Sequence, residues 1–83
     1  MRLLADLRRL DPSMFARVSE VERTGRDEAI VFLSSLPVRV LSSTPAERFA
    51  ELRAVEEDLA RRGERGVAEL DLRFRDRVIV RLQ

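Results

Sequence analysis

The chain has 83 residues, 45% hydrophobic and 37% charged, with 16 basic and 15 acidic side chains and a formal net charge of +1. One small domain is the expected organisation over residues 1–83, and the apolar fraction excludes a disordered chain. With no Cys and no His, disulfides, thiolate metal sites and histidine bases are excluded.

Residues 2–10, "RLLADLRRL", place Leu3, Leu4, Leu7 and Leu10 on one helical face. No apolar run in the chain approaches the roughly 20 residues of a membrane span. Alternating charges at the start also rule out the apolar stretch of a signal peptide. Asp11 and Pro12 then form a restart signal, cap and first helical residue, for a short turn over "PSMFA".

Weak alternation over Arg17–Thr24 predicts a strand, with Val21 out of step and a bulge to accommodate it. Ala29–Leu33 and Val38–Leu41 predict a hairpin joined through "SSLP" by a loop of a few residues. In "STPAERFAELRAVEEDLARRG" a helix is written with both its ends. Thr44, Pro45 and Glu47 spell a capping box, Phe49, Leu52, Val55 and Leu59 make the inner stripe, and Gly63 is the stop.

The chain closes on "VAELDLRFRDRVIVRLQ", a second hairpin. Pairing Phe74 with Val78 around the loop Arg75–Arg77 brings Leu70, Leu72, Phe74, Val78, Val80 and Leu82 to one face. It also sets Asp71 opposite Arg81. The element order α-β-β-β-α-β-β predicts an α+β fold, an antiparallel sheet of about five strands with helices on one face.

Chemistry is scarce along this chain. Lys and Tyr are missing as well as His and Cys, so the usual bases and activated nucleophiles are lacking and no catalytic residue is assigned. The acidic run Glu56–Asp58 is expected to face water, opposite the helix stripe. Ser34, Ser35, Ser42 and Ser43 sit where turns and caps use serine. Isolated glycines make no phosphate loop, and the carboxylates show no calcium-loop spacing, so neither cofactor nor metal is expected.

All basic residues are Arg, either through a biased composition or for bidentate recognition. Interspersed charge and only four aromatics, with Phe49 and Phe74 in apolar sets, speak against RNA binding; an Arg-rich RNA module stays as an alternative, as does a self-associating domain. A final strand over residues 77–82 would be a sheet edge, which is either guarded or used. Arg77 and Arg81 suit a guard, whereas Ile79 between them suits contact.

Three stretches carry a resemblance: "SEV" ahead of a hairpin, the pair Arg48–Phe49 early in the helix, and "LDLRF" followed by a short turn and a last strand. In that order and spacing they resemble the C-terminal β domain of the FtsQ/DivIB family of bacterial cell-division proteins. The resemblance implies a non-enzymatic divisome scaffold on the extracytoplasmic side of the cell inner membrane. It implies a fragment, without the membrane-spanning helix and POTRA domain that precede this domain in the family. It further implies an FtsB/FtsL-like partner whose segment adds a strand beside the terminal one. The residues this points to are Arg73 and Phe74 of the D-L-R-aromatic motif and the strand Val78, Ile79, Val80, Arg81 and Leu82. Arg48 near the helix start joins them, and Arg77 is added from the edge-strand reading of residues 77–82. Phe74 stands where the family often has Tyr.

Overall fold

A computed structural model describes residues 2–83. The chain opens with α1 (Arg2–Leu10), whose Leu3 and Leu7 lie one turn apart and are buried. Leu10, expected on the same stripe, is exposed at the helix end. Asp11 then accepts a hydrogen bond from the Met14 amide at 3.1 Å and so caps the short α2 (Pro12–Ala16).

Five strands follow in two groups. β1 (Val18–Arg23), β2 (Glu28–Leu33) and β3 (Leu36–Leu41) form an antiparallel meander, and β1 carries the expected bulge, between Val18 and Glu20. β2 alternates strictly, with Ala29, Val31 and Leu33 buried and Glu28, Ile30 and Phe32 only partly so. Its turn into β3 is tighter than expected. Ser34 and Ser35 alone make it, both at positive φ (50° and 75°), the geometry whose twist matches that of paired strands.

After β3 a single tight helical turn (Ala46–Arg48) leads into α3 (Phe49–Arg61), which returns the chain to β4 (Val67–Asp71). This crossover makes β3 and β4 the one parallel pair, because parallel neighbours need such a connection. β5 (Ile79–Leu82) pairs antiparallel with β4 and ends the order β1-β2-β3-β4-β5. The fold is therefore α+β with a mostly antiparallel five-stranded sheet.

Leu7, Met14, Phe49 and Leu52 from the helices meet Leu33, Val38, Leu70 and Leu72 from the sheet side in one fully buried cluster. Every buried apolar side chain of the strands belongs to the helix-covered face. On the other face stand Ile30, Phe32, Arg39, Glu69, Ile79 and Arg81, all partly exposed, and a buried Asp71.

Three further sequence expectations change here. The Thr44 capping box does not form: the hydroxyl accepts from the Leu41 amide at 2.8 Å, closing the turn that leaves β3, and Pro45 takes the cap position without a side-chain bond. A hydroxyl used to end the strand is not available to begin the helix. Gly63 does stop α3, at φ 69°. Its amide bonds to Ala60 O and that of Glu64 to Leu59 O, the paired closure that glycine permits.

Glu56 is the second change. Instead of facing water it holds Arg17 in a two-pronged ion pair at 2.9 and 2.7 Å, tying α3 to the start of β1. That pair raises the Arg17 pKa above its ordinary value, chiefly through the hydrogen bond to Glu56.

The closing hairpin is the third. Asp71 faces Ile79, Leu70 faces Val80 and Glu69 faces Arg81, two residues out of the expected register. A shift of two keeps every side chain on its expected face, so the alternation could not reveal it. It lengthens the connection to residues 72–78 and leaves Phe74 outside the core, 42% exposed.

Candidate partner-binding edge

β5 ends the sheet, and no other strand of the described residues flanks its outer side. The direction of its backbone groups follows from one bond. The Gln83 amide donates inward, to Gly66 O at 2.6 Å. Consecutive residues of a strand point their N–H and C=O to opposite sides, and the irregularity of this ladder lies in β4, between Val67 and Glu69. Ile79 and Arg81 therefore face β4, while Val80 and Leu82 turn their main-chain groups outward.

Beside this outward row runs a groove of about 440 Å³, floored by Val55, Leu59, Val80 and Leu82 and rimmed by Asp58, Arg62 and Glu64. Val55 and Leu59 are the last two residues of the α3 stripe, and Leu82 is 53% exposed. Val55 and Val80 are only partly buried against the core and Leu82 stays exposed, so this apolar strip is open at the edge. The groove was invisible in the sequence, where the stripe reads as core to its end.

The polar face of the hairpin is held by a chain of ion pairs. Arg39 reaches Glu69 at 2.8 Å, Arg81 bridges Glu69 and Asp71 at 2.7 Å each, and Arg73 grips Asp71 at 2.8 Å and Glu28 at 3.2 Å. Asp71, at the centre, is 0% exposed. Burial opposes its ionisation, but hydrogen bonds from the Arg73 side chain and amide and from Arg81 overcome it. The carboxyl is held far below its usual range. The same contact raises the Arg73 pKa, and Arg81 shifts upward for the same reason. The sequence signal for this network was the expected pairing of Asp71 with Arg81, which forms as an ion pair although Asp71 lies opposite Ile79 in the ladder.

The nine residues singled out from the sequence are spread over the strand, the connection before it, the ion network and the base of α3. Val80 and Leu82 lie on the outward row and the groove, with Ile79 and Arg81 in the same strand. Arg77 and Val78 fall in the connection ahead of it, Val78 packed partly against the core. Phe74 stands out from that connection between two guanidiniums, Arg73 at 6.0 Å and Arg77 at 5.7 Å from its ring centre. Arg73 belongs to the ion network on the sheet face. Arg48 sits at the base of α3 and turns into the protein, with its side chain 11% exposed.

Most of the arginines are thus paired with acids inside this structure. Among the described residues no helix is long and apolar enough to cross a membrane, and no group of three potential metal ligands forms.

The family model for the C-terminal region of the cell-division proteins FtsQ/DivIB matches residues 2–73. No curated protein and no solved structure matches the chain significantly. The matched stretch runs from α1 through β4 to Arg73 and stops short of β5, so the family rests on the body of the fold and the edge on the sheet order. By that match the chain belongs to the FtsQ/DivIB cell-division family and carries its C-terminal region.

Proposed function

We propose that this domain is a non-enzymatic interaction module of the bacterial division machinery, and that it binds a partner chain by strand addition along the outer side of β5. The observation that carries the reading is the outward main-chain row of Val80 and Leu82 lying against an apolar groove. Edge strands that are not to be used are ordinarily shortened, bulged, charged or covered. On β5 the shortness is present, but the outer row itself is neither bulged nor covered.

Magnitudes say why the groove matters. Two outward residues offer four backbone groups, and a net hydrogen bond contributes about 0.5–1.5 kcal/mol. Micromolar binding needs about 8 kcal/mol beyond the cost of immobilising the partner. Backbone pairing alone falls short. One large apolar side chain of the partner seated in the groove would add about 1.5–3 kcal/mol. The expected partner strand is therefore extended and alternating, with its apolar residues turned toward α3. An FtsB/FtsL-like subunit is the partner the family suggests, on the extracytoplasmic side of the inner membrane.

Val80→Pro tests this directly. Proline removes an outward N–H and is tolerated on the unpaired side of an edge strand, so the fold should survive. Titrated calorimetrically with the FtsB/FtsL-type subunits, the variant should lose at least tenfold in affinity. Undiminished affinity with an unchanged circular dichroism spectrum would rule out strand addition at β5.

A further inference from the structure

We infer that Arg48 is a positioning residue for the edge strand: from the base of α3 it fixes the connection between β4 and β5 and so holds β5 ready for a partner that it does not itself touch. This deepens the reading of β5 as the docking edge and rests on it. Family resemblance pointed to Arg48 as a contact residue; the geometry assigns it the other way, into the domain.

Three carbonyl oxygens of the connection accept from this one guanidinium. Nη1 donates to Leu72 O at 2.9 Å and to Phe74 O, and Nη2 donates to Arg77 O at 2.9 Å. Nε donates to Glu51 Oε2 at 2.9 Å, one turn along α3, which fixes the direction of the fork. The carbonyls run from Leu72 to Arg77 along the connection 72–78, whose alternative is a loose loop of seven residues between two strands.

The start of the connection has ties of its own, since Leu72 is buried with its amide bonded to Arg39 O and Arg73 grips Asp71; from Phe74 to Arg77 the ties are the carbonyls held by Arg48, ahead of the short ladder of β5 on β4. A planar fork with five donors can bridge several carbonyls in one orientation, whereas an ammonium is a single point of charge. Ordering a segment before binding removes that entropy from the cost of association. Arg48 therefore raises affinity at β5 from a distance, by keeping Ile79–Leu82 in register.

Amide hydrogen exchange on the intact chain, without any partner, tests this separately from docking. In Arg48→Gln, the inward-bonded amides of Ile79, Arg81 and Gln83 should exchange at least tenfold faster while those of β2 and β3 keep their rates. Arg48→Lys should restore protection only in part, and Glu51→Gln should give a smaller loss at the same amides. Unchanged exchange of Ile79, Arg81 and Gln83 in a folded Arg48→Gln chain would overturn the proposal. So would acceleration spread equally over β2 and β3, which would make Arg48 a general support of the fold. Full protection in Arg48→Lys would also overturn it, since charge alone would then suffice. If instead Val80→Pro fails to weaken binding while these exchange results hold, strand addition is wrong and the strut stands.

Discussion

The two ends of the sheet are built differently. β1 is the longer edge, six residues, and it carries a bulge between Val18 and Glu20 and the exposed acids Glu20 and Glu22. A bulge twists an edge away from any straight incoming strand, and like charges repel a second copy of themselves. β5 has four residues, regular spacing, Val80 and Leu82 on its outward row, and an apolar groove at its side. One edge is closed by its own irregularity and charge; the other is short but open. The lesson is that alternation and charge content alone do not tell a guarded edge from an available one, since both strands are Arg- and Val-bearing and alternate in sequence.

Both edges hang on one core, so the largest expected effect removes the platform beneath them. Phe49 is fully buried where α3 meets the sheet. Truncation to Ala should cost about 3–5 kcal/mol. A domain of this size has little more than that in reserve. Urea titration followed by circular dichroism should find Phe49→Ala mostly unfolded at room temperature. Loss of less than about 1 kcal/mol would mean that the helix layer is not what carries the sheet.

The next effect falls on one edge only. Asp71→Asn leaves Arg73 and Arg81 without their shared carboxylate on the sheet face. Removing one partner of a buried pair costs about 3–5 kcal/mol, and the partial exposure of both arginines reduces this to about 2 kcal/mol. For a domain of this length that is roughly a 10 °C drop in melting temperature.

The sign of the pH dependence follows from the depressed carboxyl. Because Asp71 titrates lower in the folded chain than its ordinary 3.8, its contribution is complete above that value and is lost as pH falls toward the native one. Thermal melts between pH 7 and pH 2 should show the wild-type advantage over Asp71→Asn constant down to about pH 5, then shrinking. An advantage that grew as the solution became more acidic would contradict the network as drawn.

How much of this was legible beforehand depends on how far apart the partners lie along the chain. Local signals read true: Asp11 caps α2, Gly63 ends α3, and the period-two run of β2 buries alternate residues. The misread features have different causes. Glu56 looks solvated until Arg17 is brought beside it, 39 positions distant. Thr44 looks like a helix cap until the end of β3 presents the Leu41 amide. The hairpin register was invisible for a different reason. Phe74 on the core face and Phe74 in solvent obey the same alternation, and only the carbonyls held by Arg48 and the acid gripped by Arg73 decide between them. At the edge itself the candidate strand was readable from its composition, while the groove that gives it a use was not.

The smallest expected effect sharpens the contrast most. If β1 is closed by charge as well as by its bulge, the joint replacement Glu20→Val and Glu22→Val should leave stability nearly unchanged, within about 0.5 kcal/mol, because both side chains are exposed. It should nevertheless alter behaviour in solution. Val at both positions would extend the partly exposed apolar patch formed by Ile30 and Phe32, their direct cross-strand partners, out to the sheet edge. Sedimentation velocity should then detect reversible self-association of the double variant at concentrations where the parent sediments as a smaller species. Should the two sediment alike, the bulge by itself closes β1, and the acids are ordinary surface residues. Either result isolates what β5 lacks: the first names charge as the missing guard, the second names backbone irregularity.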